Sequence, residues 1–202
     1  MTQNVEIIAE LAQGFEGSEA QALSLLKAAS SAGANSAKIQ VIFADELCVP
    51  DYVHYDLFKG LEMDVSSWGQ VAHLAKQENI SLILDVFGKT SLELATEIGV
   101  DRIMLHATDL NNQQLLSMVA QSNTKDVFLG IGGGHQSEIN KAIETLSSKN
   151  IILMAGFQGY PTEIEDNQIA RIKFLHSQFA ERFTNVSIGF ADHSLPTSHS
   201  ML

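Results

Sequence analysis

Ile188-Gly189-Phe190-Ala191-Asp192-His193-Ser194 is the stretch from which the chain is best read. Val186 to Phe190 form an apolar strand-like run, which ends in a carboxylate and an imidazole side by side where a strand gives way to a loop. In barrels built from repeated strand-helix units, side chains at the C-terminal strand ends line the active-site mouth. Upstream of this point the same alternation repeats. Short apolar runs fall at Val5–Ala9, Ala37–Ile42, Ile80–Phe87, Asp101–Leu105, Asp126–Ile131 and Ile151–Phe157. Stretches of helical period lie between the runs, at Glu19–Ala32, Val65–Gln77, Ser91–Ile98, Asn112–Gln121, Gln136–Ser147 and Asn167–Phe183.

Seven such runs separated by helix-length segments predict parallel strands joined by right-handed crossovers. Ser18 is placed to cap the first helix and Gly33 to end it. Asp45 to Met63 is the one longer excursion, and it is expected to form a loop or lid on the functional face. No low-complexity segment, charge run or linker marks a second domain, so residues 1–202 are expected to be a single α/β domain. An open doubly wound sheet would announce a nucleotide site with a glycine-rich turn after its first strand, and Gln13-Gly14-Phe15-Glu16-Gly17 lacks that spacing. Polar residues at several strand ends instead favour a TIM-type (β/α)8 barrel, with about seven β/α units in this chain.

Composition narrows the partners. Twelve basic against twenty-four acidic residues give a net charge of −12, which argues against nucleic acid or a membrane surface as a general partner. No 18-residue apolar run and no N-terminal leader pattern is present, and the single cysteine, Cys48, forms no internal disulfide, so a cytoplasmic protein is expected. Gly130-Ile131-Gly132-Gly133-Gly134 after the fifth strand has two readings: a backbone cradle for phosphate or carboxylate at a helix start, or a plain tight turn.

Several local motifs together carry a resemblance. Ile8-Ala9-Glu10, Ala37-Lys38-Ile39-Gln40, Asp109-Leu110-Asn111-Asn112, Tyr160-Pro161-Thr162 and Gly189-Phe190-Ala191-Asp192-His193 follow one another in the order and spacing of the sialic acid synthase family. The chain resembles that family over essentially its whole length. Members are barrel enzymes that use a divalent metal to condense phosphoenolpyruvate with an N-acylated amino sugar, giving a 2-keto acid. The resemblance implies that Lys38 meets the phosphoenolpyruvate anion, that His193 is one of two histidines holding manganese or magnesium, and that Asp192 orients it or the substrate. It further implies Glu10 and Asp109 as catalytic acids, Gln40, Gln158 and Tyr160 as substrate contacts, and a homodimer.

Physical chemistry alone leaves alternatives open. Glu10 in an apolar strand needs a partner, and Lys38 on the neighbouring strand is the obvious candidate, which keeps a structural ion pair open as a reading of both. Tyr160-Pro161 is a turn signal in any protein. His106, His135, His176 and His199 carry no assignment.

The departures from the family pattern bear on the donor. The family's Ser-Thr-Pro-Phe-Asp is here Leu84-Asp85-Val86-Phe87-Gly88, its Lys-Ile-Ala-Ser is Met104-Leu105-His106-Ala107, and its Ser-Thr-Gly is Gly130-Ile131-Gly132. Its His-Cys is Ala155-Gly156, and the serine before Asp-His is Ala191. These are mainly groups that hold the donor's phosphate and carboxylate, and charge-assisted bonds to such groups contribute about 1.5–3 kcal/mol each. Asp85 adds a carboxylate that would repel an anion or bind a polyol or metal. The family's eighth strand, with its second metal histidine, has no counterpart here, so a longer protein or a covering partner is expected. Two functions follow: a metal-assisted carbon-carbon bond-forming synthase of sugar-acid biosynthesis, or a non-catalytic sugar-binding or assembly module.

Overall fold

A computed structural model describes residues 5–195; His199 and the segment following Asp192-His193 that would begin the next helix lie outside the described residues. Seven strands alternate with helices: β1 (Ile8–Ala12), β2 (Ser36–Gln40), β3 (Ser81–Asp85), β4 (Arg102–Leu105), β5 (Asp126–Gly130), β6 (Asn150–Ala155) and β7 (Val186–Phe190). The helices are α1 (Glu19–Ser31), α2 (Ala44–Leu47), α3 (Tyr55–Gly60), α4 (Val65–Gln77), α5 (Lys89–Glu97), α6 (Gln113–Gln121), α7 (Gln136–Thr145) and α8 (Arg171–Leu175). The chain gathers into two compact units that divide after Ile103, within β4.

In the first unit β1, β2 and β3 pair in parallel, with Glu10 opposite Lys38 and Gln40 opposite Asp85. Paired residues share a sheet face, and alternate residues return to it. Glu10, Lys38, Gln40 and Asp85 therefore share one face, while Ala37, Ile39, Leu82 and Leu84 turn to the other and are buried. β1 begins three residues later than the apolar run Val5–Ala9 suggests. Backbone and side chain of Asn35 fix Ile7 at the strand entrance, and the ladder with β2 starts only at Ile8.

The helix ends follow sequence chemistry. The hydroxyl of Ser18 accepts the amide of Gln21 at the start of α1. Gly33, at φ +86°, lets the amides of Gly33 and Ala34 turn back onto the carbonyls of Ser30 and Ala29, a Schellman ending. α4 opens on Asp64, which accepts the amide of Ser67 at 2.7 Å. It buries Trp68, Val71, Ala72 and Ala75, the i, i+3, i+4, i+7 stripe of a one-sided helix. Trp68 meets Phe15 edge to face, with ring centres 5.4 Å apart.

The excursion Asp45–Met63 is not wholly irregular, since it contains α2's end and α3. Glu46 of α2 supplies the cap that Gly88 lacks at the start of α5: its carboxylate accepts the amides of Thr90 at 2.5 Å and Ser91 at 3.3 Å. At the opposite strand ends Arg102 bonds both oxygens of Glu6, at 2.9 and 3.0 Å, and the hydroxyls of Ser36 and Ser81.

In the second unit β5, β6 and β7 pair in parallel from Asp126↔Asn150 and Ile151↔Val186 onward. α6 buries Leu115, Leu116 and Val119, and α7 buries Ile139, Ala142 and Ile143. The helical stretch expected over Asn167–Phe183 is shorter and broken. A 3-10 turn spans Ile164–Asp166, α8 begins only at Arg171, and a π-helical turn covers His176–Ala180. Gln168 sits in the left-handed region, at φ +46°, and a residue there cannot propagate a right-handed helix. Among the described residues no helix is long and apolar enough to cross a membrane.

Candidate functional site

Three of the sequence-selected residues meet at the C-terminal strand ends of the first unit. The ammonium of Lys38 lies 2.5 Å from Glu10 Oε2 and 2.7 Å from Asp85 Oδ2. The register explains the meeting: Glu10 is Lys38's direct neighbour across β1 and β2, and Asp85 is its diagonal neighbour across β2 and β3. The ion pair between Glu10 and Lys38, one of the sequence readings, is thus present. Asp85 as a second partner of the same ammonium was not expected.

The two carboxylates differ. The Asp85 side chain is fully buried, whereas 49% of the Glu10 side chain meets solvent. Glu10 also accepts the amide of Ala12 at 2.9 Å. Desolvation of its carboxylate, packed down onto Lys38, raises the Glu10 pKa; the Asp85 charge adds to this and the Lys38 charge opposes it without cancelling it. Burial works against the Lys38 ammonium, but the charges and hydrogen bonds of Asp85 and Glu10 outweigh it and hold its pKa above the usual lysine range. Gln40 stands next along β2, where its side-chain oxygen accepts from Gln13 at 2.9 Å. An ammonium has three N–H donors. Two face carboxylates, and the side chain keeps 14% exposure, so a third donor is left for a ligand oxygen.

A second group of the selected residues lies in the second unit. Asp192 Oδ1 accepts the amide of Ser194 at 2.9 Å and the side-chain amide of Asn167 at 3.2 Å. Asn167 is buried. His193 Nδ1 lies 2.9 Å from the carbonyl oxygen of Phe157, a contact that orients the ring. With the proton on Nδ1, the lone pair is on Nε2, as a neutral metal ligand requires. Tyr160 is 89% exposed and meets the His193 ring edge-on, with centres 6.0 Å apart. Gln158 is exposed and packs over Gly132. Asp109 closes a 3-10 turn, Ala107–Asp109, and accepts from Asn112 at 3.1 Å.

Neighbours that the sequence did not reveal hold these groups. Asn167 reaches Asp192 from 25 residues away, and a backbone carbonyl such as that of Phe157 has no signature in the sequence. Among the described residues no three or more His, Cys, Asp or Glu side chains converge as a metal site would. His193, with its ring held through Nδ1, is suited to be a single metal ligand through Nε2.

The glycine-rich turn is built as a tight turn: Gly134 donates to the carbonyl of Ile131 at 3.1 Å, and Gly133 takes φ +76°. The helix start beyond it already carries a carboxylate. Glu138 accepts the amide of His135 and the side chain of Asn111, both at 2.7 Å, and these bonds hold its pKa below the usual value. Two positions that depart from the family pattern, Gly130 and Gly156, have backbone where a side chain would go, and Gly132, which keeps the family's glycine, lies under the Gln158 side chain. A Cβ on Gly130 would strike the backbone of Ala107, one on Gly132 the side chain of Gln158, and one on Gly156 the carbonyl of Ala191.

Alternating strands and helices with polar side chains at the C-terminal strand ends define an α/β protein of the TIM-type (β/α)8 barrel class, with seven parallel strands among the described residues. The chain belongs to the NeuB family, whose pattern it matches over residues 25–202. A solved sialic acid synthetase from Leptospira borgpetersenii is similar, with a TM-score of 0.89 and 26% identity over 98% of this chain and 68% of that one. A spore coat polysaccharide biosynthesis protein from Bacillus subtilis gives a TM-score of 0.80 at 26% identity, over 96% of this chain and 54% of that one. By sequence, pseudaminic acid synthase of Campylobacter jejuni is 26% identical over 95% of this chain and 59% of its own length. The chain spans 55% and 59% of the first two curated relatives it matches.

Proposed function

We propose that the protein acts in sugar-acid biosynthesis as a carbon-carbon bond-forming synthase, joining phosphoenolpyruvate or a related enol donor to the aldehyde of an amino sugar. The observation that carries this reading is the Glu10–Lys38–Asp85 cluster at adjacent strand ends, in a chain that belongs to the NeuB family. With phosphoenolpyruvate, the methylene carbon of the enol bonds to the aldehyde carbon and the aldehyde oxygen takes up a proton. Water adds at the phosphorylated carbon, inorganic phosphate leaves, and a 2-keto acid remains.

Lys38 would offer its remaining N–H to a donor oxygen. Glu10, whose raised pKa brings it closer to working pH, is suited to move the proton. Asp192, fixed by Asn167 and Ser194, and Asp109 are suited to accept sugar hydroxyls, with Tyr160, Gln158 and Gln40 as further contacts. His193 would be one ligand of a divalent metal, which when bound would polarise the aldehyde. A cytoplasmic location and a homodimer remain part of the reading.

One observation favours a non-catalytic sugar-binding or assembly module instead: Gly130 and Gly156, which stand where the family has a serine and a cysteine, are closed off by the backbone of Ala107 and Ala191, so those side chains are absent and have no space to return. The deciding experiment mixes the protein with phosphoenolpyruvate, an N-acylated amino-sugar aldehyde and manganese, and follows phosphate release and product mass. A 2-keto acid formed only with both substrates present is expected. No product with either phosphoenolpyruvate or pyruvate as donor would leave the binding module as the function.

A further inference from the structure

The cluster at Lys38 also bears on what the site accepts. Its three ionised groups sum to one negative charge, although Lys38 is the cation expected to meet an anion. The two carboxylates are not equally able to yield. Glu10 is half-exposed and can swing toward solvent; Asp85 is fully buried and stays 2.7 Å from the ammonium. A ligand oxygen within hydrogen-bonding reach of Lys38 Nζ therefore lies within about 5.5 Å of Asp85 Oδ2. At that distance, in a poorly solvated site, repulsion grows in proportion to the ligand's own charge.

We propose that Asp85 is a charge filter on Lys38: the pair admits a carboxylate monoanion or a neutral carbonyl oxygen and turns away a phosphate dianion. This rests on the reading of Lys38 as a ligand-binding group and refines its substrate class. The donor presents its carboxylate or carbonyl end to Lys38, and any phosphate it carries is held elsewhere. Asp85 is thus a specificity-determining residue, and Asp85→Asn keeps its shape while removing the charge.

Calorimetric titration of the full chain with inorganic phosphate and with pyruvate, in wild type and in Asp85→Asn, tests this at mildly alkaline pH. If the substitution tightens pyruvate binding about tenfold, it should tighten phosphate binding about a hundredfold, because the repelled charge is doubled. A folded variant whose phosphate affinity is unchanged, or rises no more than its pyruvate affinity, overturns the proposal. Asp85→Ser is the second variant should Asp85→Asn fail to fold. If neither folds, wild type decides: pyruvate must bind about tenfold or more tighter than phosphate, and the reverse order, or no detectable binding of either, overturns the filter. Turnover in wild type together with a preference for phosphate would sink this inference alone. A charge preference as described without turnover would sink the synthase reading alone.

Discussion

The first unit carries an ionic cluster at each end of the same strands, and the two are built differently. At the entrances of β2, β3 and β4, Arg102 meets both oxygens of the Glu6 carboxylate and the hydroxyls of Ser36 and Ser81. At the exits of β1, β2 and β3, one ammonium faces two carboxylates, of which one is fully buried. A balanced, bidentate pair is what a structure needs to hold strand ends together. An unbalanced one costs stability, and such groups gather where strand ends meet ligands. The direction of titration makes the same distinction. Burial pushes the Glu6 carboxyl up, but hydrogen bonds and charge from Arg102, with Ser36, bring it below the ordinary range; Glu10 is left above it.

The largest expected effect comes from Lys38→Ala, which takes the ammonium from between the fully buried Asp85 and Glu10. A loss of about 3–5 kcal/mol in urea unfolding is expected, the cost typical of breaking a buried ion pair from one side. A loss below about 1 kcal/mol would mean that the two carboxylates relax into solvent and that the cluster is looser than described. Arg102→Ala should cost less, about 2–3 kcal/mol, because Glu6 is partly exposed and can rehydrate while the buried Ser36 loses a donor.

The pH dependence sharpens the contrast further. A depressed carboxylate contributes stability above its unfolded pKa and loses it as pH falls through the folded value. Glu6→Gln should therefore cost about 1 kcal/mol at neutral pH, discounted for solvent screening, and nothing in strong acid. A raised carboxylate behaves oppositely: its contribution is complete below the unfolded pKa of about 4.3 and falls as pH rises through the folded value. Glu10→Gln should then be neutral or slightly stabilising at neutral pH, and without effect below that range. Two unfolding series across pH decide between these signs. A small effect is expected at His193→Ala, within about 0.5 kcal/mol in thermal unfolding, because the ring is half-buried, makes one hydrogen bond through Nδ1 and otherwise meets the exposed Tyr160 ring.

The sequence made visible those features that depend on neighbours in the chain. Val65–Gln77 and Val186–Phe190 form where periodicity and apolar content place them, and Ser18 and Gly33 cap α1 as their chemistry predicts. Glu10 and Lys38 were legible as partners because consecutive parallel strands sit side by side. What escaped depends on register and on distant chain. Asp85 reaches Lys38 only because Gln40, and not Ile39, stands opposite it. Glu46 caps α5 from 44 residues away, and no local pattern announces it. The broken helix before Leu175 turns on one left-handed residue, Gln168, whose side chain gives no warning.

Carboxyl-carbon NMR titration of Glu6 and Glu10 in the same folded sample tests most directly the claim that one cluster fastens the strands while the other is held ready for a ligand. The two resonances are expected to titrate on opposite sides of the ordinary glutamate value, Glu6 below and Glu10 above. Finding both below would make the Lys38 cluster a second structural staple and contradict the account.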